Sequence, residues 1–388
     1  MLAGARGRTA GRRRGKQLGV IVFESVTKRY ADGTLALDAL DLAVPAGQVT
    51  ALVGPAATGK TTALRLVNRL VEPTSGRVLL DDQDVSRLDP VALRRGIGYL
   101  TSTGGLLPHK DVLGNVAVVP RLLGWDRDAC RKRALEVLEL VGISAARASA
   151  FPVQLDAVSR QRVALARAVA AEPSLLLLDE PFAHLDTAGR DTLGGDLERV
   201  RSWSQATVLL ATDQLDEALR LADHLAVLGP GGRLAQDGTP ADLLTLPIDD
   251  AAAAVVGDHR GLKRLALLHL ADVQPSRGPV VTPLATAGQA RAAAASGDSA
   301  WVLVVDVDDR LLGWADTARL GPTGYVTDTP LLEVERTVAR VDTLLTVLDQ
   351  MVLSPARMAV RLEPDGRLGG VITRAVIEPH LPQAGTGW

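Results

Sequence analysis

Gly54-Pro55-Ala56-Ala57-Thr58-Gly59-Lys60-Thr61 fits G-x-x-x-x-G-K-[ST], the pattern of a phosphate-binding loop. It follows the apolar run Val49 to Val53 and precedes the helix-like run Thr61 to Leu70, so strand, glycine loop and helix come in the order the mechanism needs. Glycines let backbone N–H groups wrap a polyphosphate, and the helix turns its positive N-terminal end toward it. On this reading Gly54 to Thr62 hold ATP, Lys60 reaches the β- and γ-phosphates, and the Thr61 hydroxyl holds Mg²⁺.

The second decisive stretch is Ser174-Leu175-Leu176-Leu177-Leu178-Asp179-Glu180-Pro181. Four consecutive leucines mark a parallel strand buried on both faces, and two carboxylates at its C-terminal end fall beside the phosphate loop. Asp179 is then the second Mg²⁺ residue, and Glu180 the residue that orients and deprotonates an attacking water. A solvated strand end would also produce an Asp-Glu pair, but the loop about 120 residues upstream favours the functional reading.

The 388 residues suggest two or three domains with ample length for a core. A composition of 47% hydrophobic and 23% charged residues is that of an ordinary globular protein, and a net charge of −2 argues against nucleic acid as the main partner. No apolar stretch approaches the ~20 residues of a membrane-spanning helix. The single cysteine, Cys130, excludes an internal disulfide and fits a reducing cytoplasm. Residues 1–19 carry Arg6, Arg8, Arg12, Arg13, Arg14 and Lys16 among Gly and Ala without an apolar run. They read as a disordered basic extension, with a lipid-touching arm as the less favoured alternative.

Val20 to Val26 and Leu35 to Val44 read as strands, joined through Tyr30 and an Asp32-Gly33 turn. Tyr30 is either an adenine-stacking platform or a half-buried strand-end tyrosine. Val112 to Leu123, Arg127 to Leu140 and Arg160 to Ala171 have helical period; Thr207 to Ala211 is a strand, Leu215 to Ala222 a helix, and Leu225 to Gly238 a hairpin around Gly231-Gly232. Strands alternating with helices over 48–238 predict an α/β fold, a parallel sheet with helices on both faces.

Residues 20–258 resemble the nucleotide-binding subunit of ABC transporters, and within it the subfamily importing glycine betaine, proline and related quaternary-amine osmoprotectants. Besides the two motifs above, the resemblance rests on Asn68 to Gly76, on Asp89 to Tyr99, on Pro108-His109, on Val119-Pro120 with Leu122-Leu123, and on Asp179-Glu180-Pro181-Phe182. It implies a P-loop NTPase core with a helical subdomain at about 101–165 that contacts transmembrane permease subunits. It also implies head-to-tail pairing with a second ATP-binding subunit around shared ATP and Mg²⁺, an extracytoplasmic solute-binding protein as indirect partner, and a place in the cytoplasm against the inner face of the plasma membrane.

This sequence departs from the family at three loops. Where the family has a glutamine after the strand ending at Tyr99-Leu100, Ser102 stands. The signature L-S-G-G-Q appears as Leu155-Asp156-Ala157-Val158-Ser159, with the following Gln161-Arg162 kept. Asp156 puts a carboxylate where a phosphate should dock, and Ala157 and Val158 add bulk where backbone should approach. Thr212, in Ala211-Thr212-Asp213, is aligned with the switch histidine, and it cannot carry an imidazolium charge. Asp186, after Ala183-His184-Leu185, is retained. Loss of one charge-stabilising group costs about 10²–10³-fold in rate, so the expectation is ATP binding with slow or absent turnover. A pseudo-ATPase acting as a nucleotide-dependent scaffold or sensor is the alternative.

Residues 259–388 carry a weak internal repeat: Val302 to Gly313 lines up with Met358 to Gly370, and Thr343 to Val352 is the clearest helix. The halves resemble a tandem pair of CBS modules, an α+β domain with Val371-Ile372-Thr373-Arg374 at a module end. The resemblance implies regulation through an adenine nucleotide; a purely structural dimerisation domain is the alternative.

Overall fold

The computed structural model describes residues 21–245, 248–257 and 260–380. The basic extension lies outside these residues. The described chain forms two compact units, one built chiefly from the residues up to Leu243 and the other chiefly from Val256 onward.

The first unit opens with β1 (Ile21–Arg29) and β2 (Leu35–Val44), antiparallel neighbours in a sheet that β4 (Ser75–Leu80) extends beyond β1 and the short β5 (Gln83–Asp84) extends beyond β4. Between them in sequence, β3 (Val49–Val53) enters a different, six-stranded sheet and leads through the glycine loop into α1 (Lys60–Val67). After α2 (Pro90–Gly96) the chain adds β6 (Ile97–Thr101) to that sheet. It then crosses α3 (Val112–Val116), α4 (Val118–Leu122), α5 (Arg127–Leu140) and α6 (Ala157–Val169) before β7 (Leu175–Asp179). The sheet is completed by β8 (Thr207–Thr212), β9 (His224–Leu228) and β10 (Leu234–Gly238), separated by α7 (Thr187–Ser204) and α8 (Leu215–Leu221). Its order is β10-β9-β3-β8-β7-β6, parallel except for β10 at the edge.

Alternation along the central strands explains this layering. Leu177 and Leu209 face α1 and join a core with Phe23, Leu37 and Leu40 of the antiparallel sheet. Leu176, Leu178, Val208 and Leu210 face the other way, toward Leu197 and Val200 of α7 and Leu221 of α8. A strand buried on both faces needs apolar side chains at consecutive positions, and the leucine run supplies them.

The run Val112 to Leu123, expected as one helix, is two short ones. Asp111 caps the first through Gly114 N–H at 2.6 Å, and Ala117 is shared by both ends. Asp126 caps α5, whose buried Cys130, Ala134, Val137 and Leu138 pack against α6. The Arg162 guanidinium of α6 meets Asp196 of α7, a fully buried carboxylate, at 2.6 Å. The chain continues through α9 (Pro240–Thr245) and α10 (Asp250–Val256).

The second unit begins with α11 (Arg260–Leu267), whose Leu265 packs against Leu344 and Val347 further along the chain, and β11 (Val280–Val281), α12 (Ala287–Ser296), β12 (Trp301–Val305) and β13 (Leu311–Asp316) form one half. The other half is α13 (Leu344–Leu353), β14 (Ala359–Leu362), β15 (Leu368–Ile372) and α14 (Arg374–Ile377). The two hairpins, β12–β13 and β14–β15, are the repeated segments. Leu303, Val305 and Trp314 of one pack with Met358, Val360 and Val371 of the other.

Gly98 shows how tightly β6 lies on α6. A Cβ there would stand 2.4 Å from the Ala168 carbonyl oxygen and 2.8 Å from Leu176 Cδ1. Gly98→Ala should therefore destabilise the first unit by about 1–3 kcal/mol through overpacking, measured as a lowered midpoint in thermal or denaturant unfolding.

Candidate functional site: a phosphate-loop cleft at the C-terminal edge of the parallel sheet

The glycine loop closes over the end of β3. Gly59 has φ +88°, and a Cβ on it would stand 2.1 Å from the Ala36 carbonyl oxygen, so only glycine lets the loop turn into α1 against β2. Ala57 adopts a left-handed φ of 63° despite its Cβ. The loop lies beside a cavity of about 330 Å³ lined by Tyr30, Thr34, Ala36, Ala56 to Thr62, Glu180 and Asp213. Thr58 Oγ1 donates to the Pro55 carbonyl at 2.8 Å and ties the loop across itself. Lys60 is buried; its ammonium donates to the Gly54 and Pro55 carbonyls at 2.8 and 2.9 Å and lies 3.5 Å from Glu180 Oε1.

Thr61 and Asp179, 118 residues apart in sequence, meet here: the Thr61 hydroxyl donates to Asp179 Oδ1 at 2.6 Å. Asp179 is 7% exposed. Its second oxygen accepts from the Tyr99 hydroxyl at 3.0 Å. Burial, with the Asp179 carboxylate adding to it, pushes the Tyr99 hydroxyl up to about 12, so it stays a donor. A buried carboxylate beside a hydroxyl at a polyphosphate-shaped loop is a hard-oxygen donor set suited to Mg²⁺.

Glu180 leaves the strand at φ 49°, its N–H bonded to the Ala211 carbonyl at 2.9 Å. This left-handed turn brings its carboxylate over the loop, between Lys60 and the Asp213 N–H, which donates to Oε2 at 3.2 Å. Burial raises the Glu180 carboxyl above its ordinary range; Asp213 adds to the rise and Lys60 opposes it. Non-glycine residues held in this conformation concentrate at functional sites. Tyr30 lines the same cavity, its hydroxyl 3.2 Å from Thr62 Oγ1 and its ring 5.2 Å from the Lys28 ammonium. It therefore sits at the cavity wall, half-buried at the end of β1.

Thr212 requires a correction. It is the last residue of β8, 1% exposed, and its hydroxyl turns into the core toward Glu217 Oε2 at 3.3 Å. The first residue clear of the sheet is Asp213, and Asp213 lines the cavity beside Glu180. The position facing the phosphate loop is thus a carboxylate, a larger electrostatic change than the threonine expected from the sequence. Consecutive residues at a strand end point to opposite faces, so with Thr212 turned into the core it is Asp213 that faces the cavity.

The other altered loops lie outside this cavity. Ser102 sits in the turn after β6, where its carbonyl, with those of Thr101 and Pro181, accepts from the Gln161 side-chain amide at 2.7, 3.2 and 3.0 Å. Asp156 caps α6: its carboxylate accepts the Ser159 N–H at 2.7 Å and the Ser159 hydroxyl at 3.0 Å. The Ser159 backbone N–H, then its hydroxyl, holds the Asp156 carboxyl below the ordinary range. Arg147 reaches Ser159 Oγ at 3.1 Å. The N-terminal end of α6 is therefore occupied by the chain's own carboxylate, at the residue where the sequence placed one. Ala157 begins α6 behind this cap, and Val158 turns its Cγ2 into the space left by Gly189 of α7 rather than outward. Asp186 caps α7 through the Gly189 N–H at 2.8 Å. Tyr99 was not anticipated; its signal lay in strand alternation, since Thr101 pairs with Asp179 and Tyr99 shares its face.

A family model described as "ABC transporter" matches residues 37–183. The chain is 32% identical over 374 residues to the osmoprotectant import ATP-binding protein OsmV of Salmonella typhimurium, spanning 95% of this chain and 97% of that protein. It is 31% identical to the glycine betaine/carnitine/choline transport ATP-binding protein OpuCA of Bacillus subtilis, spanning 92% and 94%. A dimeric ATP-binding cassette, MJ0796 bound to ADP and Pi, superposes with TM-score 0.52 at 28% identity over 57% of this chain and 98% of that one. The fold and cleft are those of a P-loop ATP-binding cassette. The chain belongs to the family of ABC transporter ATP-binding proteins.

Glu217 is 7% exposed, and its Oε1 has no hydrogen-bond partner. Burial pushes its carboxyl up to about 7, against the opposing charges of Arg190 and Arg220 and the Thr212 hydroxyl, with Asp213 adding to the rise. Its folded value lies above the unfolded 4.5, so the fold favours the protonated form. That stabilisation is complete below the unfolded value and is lost as pH rises through about 7. Glu217→Gln should leave stability unchanged at pH 4.5 and raise Tm at pH 8 by about 2–4 °C, read by thermal unfolding of both proteins across pH.

Proposed function

We propose that this chain is the ATP-binding subunit of an importer for quaternary-amine osmoprotectants of the glycine betaine, proline and choline class. The observation that carries the nucleotide part is the meeting of Lys60, Thr61, Asp179 and Glu180 at one cavity lined by the glycine loop. The solute class rests on relatives that match nearly end to end and are named for osmoprotectants, glycine betaine, carnitine and choline. Gly54 to Thr62 would cradle the phosphates of ATP, Tyr30 would flank its base, and Thr61 and Asp179 would hold Mg²⁺. The metal, when bound, supplies positive charge to the phosphates. Lys60 would exchange its carbonyl partners for phosphate oxygens, and Glu180, released from Lys60, would accept a proton from water.

Partners follow from the same reading: a second ATP-binding subunit, permease subunits met through α3 to α5 of a helical subdomain at about 101–165, and indirectly an extracytoplasmic solute-binding protein. The chain would then lie in the cytoplasm, peripheral on the inner face of the plasma membrane. Among the described residues no helix is long and apolar enough to cross a membrane. Residues 20–258 would form the nucleotide-binding domain and 259–388 a regulatory tandem CBS domain. Two hairpin-and-helix halves sharing a core support that second assignment. An adenine nucleotide is its proposed ligand, although a 340 Å³ cleft between the halves presents Glu333 and Glu335 beside Arg336, a poor lining for a polyphosphate.

Turnover should be slow. Asp213 stands beside the base as a second carboxylate, Ser102 replaces an amide, and the α6 N-terminus is filled by Asp156. These observations favour a second reading in which nucleotide binding works as a scaffold or sensor switch without hydrolysis. Purified chain should bind Mg-ATP saturably, Lys60→Ala should not, and phosphate release at saturating Mg-ATP should stay close to that of the Lys60→Ala blank. Turnover on the order of 1 s⁻¹ or faster, usual for enzymes, would refute the slow site and restore a conventional motor.

A further inference from the structure

We infer that Tyr99 is a positioning residue for the divalent metal that accompanies the nucleotide, acting through Asp179. The inference deepens the reading above and rests on it. Asp179 ends β7, and its backbone is held between Thr101 of β6 and Ala211 of β8. That pairing fixes where the carboxylate starts, but not how it turns about its last bond. Two hydroxyls fix the turn: Thr61 on Oδ1 at 2.6 Å and Tyr99 on Oδ2 at 3.0 Å. The two donors differ in kind. Thr61 sits in the first turn of α1, directly after the glycine loop, and is itself one of the two residues proposed to hold the metal, whereas Tyr99 belongs to a sheet strand with its ring half-buried.

Tyr99 is therefore the donor that can stay on Asp179 when the Thr61 hydroxyl turns to the metal. It keeps Oδ2 engaged in a site where an unpartnered carboxylate oxygen is costly, and so leaves Oδ1 facing Thr61. Partners of this kind behind a metal-binding carboxylate typically contribute about 10–100-fold to metal affinity. A phenylalanine at 99 would keep the ring and remove only the donor. Oδ2 would then turn toward the loop or recruit water, and the metal would meet a carboxylate of undetermined orientation.

The test separates metal from nucleotide. The affinity of the full chain for a non-hydrolysable ATP analogue is measured with Mn²⁺ and again in EDTA, and bound Mn²⁺ is followed by EPR. For Tyr99→Phe the gain in affinity on adding Mn²⁺ should fall by about tenfold, with an altered Mn²⁺ spectrum and metal-free affinity within about twofold of wild type. Tyr99→Met, a second side chain without the hydroxyl, should behave alike and covers a packing defect in the first variant. A Mn²⁺ gain and spectrum equal to wild type would overturn the inference. So would an equal loss with and without metal, the signature of a packing role. Wild type showing no metal-dependent gain would overturn the ATP-and-metal reading itself, and this inference with it.

Discussion

Asp179 is the constraint on which the first unit turns. A carboxylate that is 7% exposed at the end of four leucines must find donors nearby or destabilise the sheet. Both donors come from neighbouring elements, Thr61 from the first turn of α1 and Tyr99 from β6. The hydrogen bonds therefore tie the glycine loop and the edge of the sheet to one point, before any ligand arrives. The cavity beside the loop is a consequence: with Thr61 drawn to β7 and Gly59 pressed against β2, the loop has one way to close.

A different balance holds at α6. Helix N-termini leave N–H groups without partners, and a ligand or a cap must satisfy them. Asp156 does so from within the chain, as Asp111, Asp126 and Asp186 do for α3, α5 and α7. In structural terms Asp156 is a good N-cap; in chemical terms it fills an anion site with an anion. The same residue thus stabilises the helix end and occupies its N–H groups, which explains how the altered signature leaves α6 undisturbed. Val158 follows the same logic, since its bulk is absorbed against Gly189.

Much of this was legible in the sequence, because its physics is local or periodic. The glycine pattern, the leucine run with its two carboxylates, and α5 with its Asp126 cap depend on neighbouring residues or on a repeat of two or 3.6. What was not legible depended on a strand's last register position. Thr212 and Asp213 differ by one residue, yet one is sealed in the core against Glu217 and the other lines the cavity. Tyr99 could be placed on the right face only after the pairing of β6 with β7 was known. The split of 112–122 into two short helices falls at Ala117, ahead of Pro120, which has no N–H to donate back to the Val116 carbonyl.

The division between retained and altered residues has a physical origin within the fold. Residues suited to holding a nucleotide are also bonded to one another: Thr61 to Asp179, Lys60 to the loop carbonyls, Glu180 to Asp213 N–H. Replacing one of them leaves a buried partner unsatisfied, so binding chemistry and folding stability are coupled. Ser102, Asp156 and Asp213 are in a different position. Gln161 grips the Ser102 backbone carbonyl, which any residue supplies, and Asp213 meets Glu180 through a backbone N–H that any residue but proline supplies. Asp156 even improves its helix end. The fold makes little demand on the side chains at 102 and 213 and is served by the aspartate at 156, whereas the Thr61–Asp179–Tyr99 chain of hydrogen bonds resists change at every member. The fold therefore holds the nucleotide cradle through its core while leaving the side chains at 102 and 213 free to vary at little cost in stability.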